Sequence, residues 1–337
     1  MLKRTLIKEA GLEVSIIGFG GIPIQKVDED TAIGLIKKAS SMGINFIDTA
    51  RVYGKSEELI GHAIEEDGRE KWIIATKSPV RDYEGMKEEI NKSLKALRVD
   101  CIDLYQLHNV RTEKEYEKVM SEDGALRALK EAKEKGLIKH IGITSHDVDT
   151  LKIAIETKEF ETIQFPYNPV ELQGEELFKR ANELGIGVII MKPVAGGAIQ
   201  NVRLSLRYIA NNPNITTIIP GVNKIEEIEE NCEIGNNFRE LTNEEKEIIE
   251  KEAKELGSEF CRRCGYCAPC PQGIDIPAQF ILEGYYSRYN LPEWAKERYV
   301  ALKTKASDCI KCGVCEPRCP YDLPIRDMLE KVSKNLG

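Results

Sequence analysis

The sequence predicts a closed (β/α)8 barrel over residues 1–257, followed by a small, mostly α-helical, cysteine-rich domain over residues 258–337. Three observations predict it. Short apolar runs of strand length alternate about eight times with helix-like runs. The helix-like runs end near Gly68, Gly136 and Gly185, each followed within a few residues by an apolar run. Eight of the ten cysteines crowd between positions 261 and 319, after the alternation has stopped. A repeat of about 25–35 residues also occurs in helical solenoids, but strand-rich repeats of uneven length favour a closed barrel. A doubly wound sheet would carry Gly-x-Gly-x-x-Gly after its first strand. Here Gly18-Phe-Gly-Gly-Ile-Pro has Pro23 where the third glycine belongs.

Taken in order, residues 3–16 hold two strand-like pieces around Glu9-Ala-Gly-Leu, a hairpin able to cap the barrel floor. Residues 16–19 form the first barrel strand. From 28 to 42, Ala32, Leu35, Ile36, Ala39 and Met42 share one helical face. Asp28 can cap its start and Gly43 can stop it. Strands follow at 44–47, 72–76, 102–107, 140–144, 162–165, 187–191 and 216–219. Two helices, 224–235 and 242–257, close this part. The cysteine-rich part has helices near 277–286 and 292–304.

The chain has 337 residues, 42% of them hydrophobic, which is ample for a large core. Its net charge of −8, with basic and acidic residues interspersed, argues against nucleic acid or an anionic membrane as the main partner. No apolar run approaches the ~18–20 residues that span a bilayer. Lys8 and Glu9 interrupt the N-terminus too early for a signal peptide. The expectation is a cytoplasmic protein.

The run 44–47 delivers Asp48 at its C-terminal end, and Tyr53 follows five residues later. Lys77 follows the run 72–76, His108 follows 102–107, and Ser145 follows 140–144. A parallel barrel gathers its strand ends at one face, where barrel enzymes do their chemistry. The pattern therefore predicts that Asp48, Tyr53, Lys77 and His108 meet there. Free tyrosine titrates near ~10 and lysine near ~10.4. A cation beside the phenol favours phenolate and makes the phenol a better proton donor near neutrality. A carboxylate holds that ammonium, and an imidazole orients a carbonyl. Such a group can protonate a carbonyl oxygen as hydride reaches the carbon. Singly, each residue has a plainer reading: a loop tyrosine is usually structural, Asp48 can cap the next helix, and Lys77 can be a surface charge. Four at successive strand ends favour the site.

Read in order, Asp48-Thr-Ala-x-x-Tyr53-Gly, Ala-Thr-Lys77, Leu-His108 and Gln164-x-x-Tyr167-Asn168-Pro resemble the aldo-keto reductase family over residues 1–257. The resemblance implies a (β/α)8 fold, a nicotinamide cofactor, and a tetrad of Asp48, Tyr53, Lys77 and His108 with Tyr53 as the acid. It implies carboxamide contacts from Ser145 and Gln164, with His146 where the family has Asn. Met191 replaces the family's stacking aromatic. Gly221 and Glu227 stand where a basic pair usually reads the adenosine phosphate, with Asn231 one turn further on. Independently, Ala195-Gly196-Gly197 follows the seventh strand, and Gly221-Val-Asn223 follows the eighth ahead of a helix. Backbone amides at such places can cradle a phosphate, although turn formation alone also explains glycines. The cradle suits FMN as well as NAD(P)H.

The cysteines fall in two runs, Cys261-x-x-Cys264-x-x-Cys267-x-x-Cys270-Pro and Cys309-x-x-Cys312-x-x-Cys315-x-x-x-Cys319-Pro. The second is the bacterial ferredoxin spacing, in which the fourth cysteine serves the other cluster. The first is one residue shorter before its last cysteine. The expectation is two 4Fe-4S clusters with crossed ligands: Cys261, Cys264, Cys267 and Cys319 on one, and Cys309, Cys312, Cys315 and Cys270 on the other. Two four-cysteine zinc sites are the alternative, although zinc usually takes well-separated cysteine pairs. The module resembles the ferredoxin-like tail of a subset of aldo-keto reductases.

The leading expectation is an iron–sulfur aldo-keto reductase acting on a small carbonyl or alcohol. Two others stay open. One is a flavin-linked electron-transfer protein exchanging electrons with ferredoxin or another carrier, because a flavin can join hydride chemistry to the single-electron chemistry of clusters. The other is a nucleotide-binding regulatory module without turnover, against which the complete tetrad argues.

Overall fold

The computed structural model describes residues 1–257, 259–263, 265–319 and 321–337. It opens with an antiparallel hairpin, β1 (Lys3–Ile7) and β2 (Leu12–Ser15). One face of the hairpin places Leu6, Ile7 and Val14 against Phe46, Ala75, Leu104 and Ile189, so it seals one end of the strand bundle with apolar surface.

Eight parallel strands follow: β3 (Phe19–Gly20), β4 (Phe46–Asp48), β5 (Ile73–Ser78), β6 (Ile102–Leu107), β7 (Ile138–Thr144), β8 (Thr162–Pro166), β9 (Gly187–Met191) and β10 (Thr217–Ile218). They pair in sequence order. The ring closes where Ile218 accepts from Gly18 N (2.7 Å) and donates its own N–H to Ile16 O (2.9 Å), and where Gly20 N reaches Pro220 O (2.9 Å). The chain is therefore a closed (β/α)8 barrel, as its pattern predicts. The first strand is shorter than the expected 16–19, because its pairing with the last strand is carried by the isolated bridges Ile17–Ile218 and Gly20–Gly221. A Cβ on Gly20 would lie 2.7 Å from Pro220 O, so this seam requires glycine.

The barrel helices are α1 (Glu29–Ser41), α2 (Ser56–Asp67), α3 (Tyr83–Leu97), α4 (Glu113–Met120), α5 (Ala125–Glu134), α6 (Val148–Glu156), α7 (Glu175–Glu183), α8 (Val202–Ala210) and α9 (Ile225–Asn236). Asp28, Asp82, Thr112 and Asp147 cap α1, α3, α4 and α6 by accepting from an amide three residues on. Gly43 ends α1 with φ +93°.

Beyond the barrel lie α10 (Asn243–Gly257), α11 (Ile276–Ser287), α12 (Pro292–Val300) and α13 (Ile325–Leu336). The chain forms two compact units, one of Met1–Asn168, Leu172–Pro193 and Arg203–Leu241, the other of Pro169–Glu171, Val194–Val202 and Thr242–Gly337. The second unit has its own core, built from Ile276, Phe280, Tyr299, Leu329 and Val332 around the buried Cys267, Cys315 and Cys319. Helix α13 was not foreseen, although Ile325, Leu329, Val332 and Leu336 repeat at helical spacing and are all buried. No helix among the described residues is long and apolar enough to cross a membrane.

Candidate functional site

Asp48 ends β4, Lys77 lies in the last turn-ward pair of β5, and His108 directly follows β6. Parallel pairing aligns Lys77 with Gln106 and Asp48 with Ala75, which brings these strand ends side by side. Lys77 is 1% exposed and Asp48 2%, so their contact is shielded from water. Lys77 Nζ donates to Asp48 Oδ1 (2.5 Å) and to Thr49 O (2.9 Å). It also lies 5.1 Å from the centroid of the Tyr53 ring. The His108 ring meets Tyr53 edge-on, centroids 5.9 Å apart and planes at 89°. The four residues that the spacing singles out are thus assembled.

Burial pushes the Asp48 carboxyl up and the Lys77 ammonium down. Their direct contact acts the other way, as do amide donors from Gln106 (3.2 Å to Oδ2) and Gln164. A carboxylate with this many donors stays ionised at neutral pH, and the pair is an ion pair. His108 titrates well below its ordinary range because of burial and the Lys77 and Arg81 charges. Its imidazole is neutral at working pH, and its Nδ1 is buried without a hydrogen-bond partner. Arg81 holds the following turn, donating to His108 O (3.0 Å) and Asn109 O (2.8 Å).

The depressed His108 pKa has a consequence for stability. Below about pH 6.5 the unfolded chain takes up a proton there that the folded chain refuses. Stability should therefore fall as pH drops below that value, by at most ~1.4 kcal/mol per pH unit from this group, and be indifferent to it above. Urea midpoints compared at pH 7 and pH 5.5 should show a smaller loss in His108→Gln than in the wild type. An equal loss in both excludes His108 as the source.

The residues expected to hold a cofactor are more scattered in role. Ser145 Oγ already donates to Val110 O (2.6 Å) and accepts from Asp147 N (2.9 Å), which starts α6. His146 follows it and is partly exposed. Gln164, on β8, gives its amide N–H to Asp48 and leaves Oε1 buried without a partner. Met191 ends β9, half-buried. Gly196 and Gly197 belong to the second unit, where a Cβ on Gly196 would meet the Tyr289 ring. Gly221 bridges to Gly20 at the barrel seam. Glu227 bends back so that its Oε2 accepts from Asn223 N (2.8 Å) and Lys224 N (3.1 Å). The amides at the start of α9 are thereby engaged by the chain's own carboxylate. Asn231 is buried one turn later.

Sequence reasoning missed Gln106, Asn109, Arg51 and Glu57. Gln106 had a signal: it is a polar residue inside an apolar strand. Asn109 had none, since its φ of +52° and its buried, unpartnered Oδ1 appear only in the fold.

In the second unit two cavities are lined by thiols. One is lined by Cys270, Cys309, Cys312 and Cys315. The other is lined by Cys261, Cys267 and Cys319. Cys264 lies outside the described residues. Cys270 thus stands with the first three cysteines of the second run, Cys319 stands with Cys261 and Cys267 of the first, and Ile276 lines both cavities. Arg263 N lies 3.4 Å from Cys261 Sγ, and the Arg263 guanidinium pairs with Glu171, which is fully buried in the same unit. Arg262 donates to Val170 O (3.1 Å) and stacks on Tyr321.

Comparison with known proteins accounts for both units. The model of the aldo/keto reductase family matches residues 16–203, and that of a 4Fe-4S dicluster domain matches residues 260–324. An uncharacterized oxidoreductase of Bacillus subtilis (strain 168), YqkF, is 27% identical over 307 residues, covering 75% of this chain and 97% of the relative. Probable aldo-keto reductase 1 of Glycine max is 32% identical over 252 residues, covering 64% and 70%. The holo form of the aldo-keto reductase AKR11C1 from Bacillus halodurans superposes with a TM-score of 0.65 at 26% identity, covering 75% of this chain and 96% of that one.

Proposed function

We propose, from the premise that this chain belongs to the aldo/keto reductase family and carries a 4Fe-4S dicluster domain, that it interconverts a carbonyl and an alcohol with a nicotinamide cofactor, Tyr53 handling the proton. The carrying observation is the buried Lys77 ammonium, shared between Asp48 at 2.5 Å and the Tyr53 ring at 5.1 Å. The ammonium favours the phenolate that remains once the proton is given. Asp48, Gln106 and Gln164 keep the ammonium in place. Neutral His108 orients the substrate oxygen toward Tyr53 Oη. A bound nicotinamide supplies or accepts the hydride.

The residues fit that cofactor unevenly. The unpartnered Gln164 Oε1 can accept from a carboxamide N–H, and Met191 offers apolar surface to a ring. Ser145 Oγ keeps one lone pair that can accept a carboxamide N–H, whereas donating to the carboxamide oxygen would require giving up Val110 O. At the other end, Glu227 places a negative charge on the amides a phosphate would use. We therefore favour NADH over NADPH. The kcat/KM for NADH should exceed that for NADPH by about tenfold or more, and Glu227→Gln should narrow the gap. A preference for NADPH in the wild type contradicts this assignment.

The two thiol cavities are proposed to hold one 4Fe-4S cluster each, Cys264 completing the ligands of the Cys261, Cys267 and Cys319 site. They move single electrons and suit exchange with a carrier such as ferredoxin. The test of the whole reading is anaerobic titration with NADH, NADPH and FMN, followed by addition of 4-nitrobenzaldehyde as a probe carbonyl. Aldehyde-dependent loss of absorbance at ~340 nm supports a reductase. Flavin uptake without aldehyde reduction sinks it and favours the electron-transfer alternative.

A further inference from the structure

Behind the tetrad lies a second buried carboxylate. Glu57, in the first turn of α2, is only 2% exposed. A carboxylate this deep is retained only where donors meet it. Its Oε1 accepts from the Thr76 hydroxyl (2.7 Å), and Thr76 precedes Lys77 on β5. Its Oε2 accepts from Arg51. Arg51 sits between Asp48 and Tyr53 in sequence; its backbone N donates to Lys77 O (3.0 Å), and its Nε donates to Glu89 (3.0 Å). The same loop is held at its other end, where Ser56 N reaches Tyr53 O (3.1 Å) and Ser56 Oγ reaches Gly21 O (2.8 Å).

We infer that Glu57 is a positioning residue that clamps the loop carrying Tyr53 to the strand carrying Lys77. The inference rests on the reading of Tyr53 as proton donor. One carboxylate binds both sides of the Tyr53–Lys77 contact, the loop through Arg51 and the strand through Thr76. A misplacement of about 1 Å at reacting groups can cost a hundredfold in rate. The charge of Glu57 has a second effect: like Asp48, it favours the ammonium form of Lys77 against the burial that opposes it. The titratable groups facing Lys77 are then Asp48 from β4, Tyr53 from the loop, His108 from the end of β6, and Glu57 from α2.

Two variants separate the clamp from the charge. Glu57→Ala removes both, whereas Glu57→Gln removes the charge, keeps one acceptor oxygen for Arg51 and holds Thr76 by the reverse bond, its amide N–H donating to the threonine hydroxyl. With NADH and 4-nitrobenzaldehyde, Glu57→Ala should lower kcat about tenfold or more while KM stays within about threefold. Glu57→Gln should retain most of kcat at pH 7, but the alkaline limb of its kcat profile should move to lower pH, because Lys77 loses its proton sooner. Full kcat in Glu57→Ala overturns the inference. If Glu57→Ala does not fold, Thr76→Val, which cuts the strand side of the clamp while keeping the side-chain shape, takes its place, and full kcat there overturns the inference. Tyr53→Phe is run alongside: activity retained there defeats the proton-donor reading itself, whereas an inactive Tyr53→Phe with wild-type Glu57 variants defeats only the clamp.

Discussion

Tyr53→Phe should lower kcat for carbonyl reduction by ~10³-fold while cofactor affinity stays within about threefold. The substitution removes one hydroxyl and keeps the ring, so the edge-on contact with His108 and the ring face toward Lys77 survive. Lys77 keeps its bonds to Asp48 Oδ1 and Thr49 O in the variant. Steady-state turnover and cofactor titration on one preparation check both halves. Turnover within tenfold of wild type means that another group gives the proton.

The second large effect concerns the thiol cavities. Anaerobically purified protein should carry about eight iron and eight sulfide. Cys270→Ser should cost about half of both, and the cluster it loses should be the one lost in Cys312→Ser. Cys319→Ser should instead remove the cluster that Cys261 serves. The reason is placement: Cys270 lines a cavity with Cys309, Cys312 and Cys315, and Cys319 lines one with Cys261 and Cys267. The core of this unit includes Cys267, Cys315 and Cys319, so losing either cluster should also loosen α11 and α13 and lower the melting temperature of the unit. Combining Cys270→Ser with Cys312→Ser gives the clearest reading. If the pair loses all iron, the two cysteines serve different clusters and the crossing is wrong. Stoichiometric zinc without sulfide rejects iron–sulfur chemistry altogether.

The barrel was legible because two periodicities alternate in the sequence, and parallel strands buried on both faces read as continuous apolar runs. The strand ends were legible for the same reason: Asp48, Lys77 and His108 stand where an apolar run stops. The cysteine spacing was legible because cluster geometry fixes it locally. The Glu57 network was not, since Thr76, Arg51 and Glu57 come from a strand, a loop and a helix, and only the fold brings them within hydrogen-bond distance. The loop glycines show the converse. Gly196 and Gly221 carry a phosphate-cradle pattern, yet Gly196 packs against Tyr289 and Gly221 answers Gly20 at the barrel seam. A glycine reports that space is tight without saying what fills it. Glu227 was visible as a departure from a basic position, but its turn back onto Asn223 N and Lys224 N was not.

The proton-donor assignment is tested most directly by a single turnover. Protein in excess, loaded with NADH, is mixed with 4-nitrobenzaldehyde under anaerobic conditions, and absorbance at ~340 nm is followed in H2O and in D2O. Wild type and Tyr53→Phe are compared. The expected result is a wild-type rate that slows in D2O, because the Tyr53 hydroxyl proton moves in the reaction, and a Tyr53→Phe rate lower by ~10³-fold. A Tyr53→Phe rate within tenfold of wild type, with the same solvent isotope effect, would contradict it.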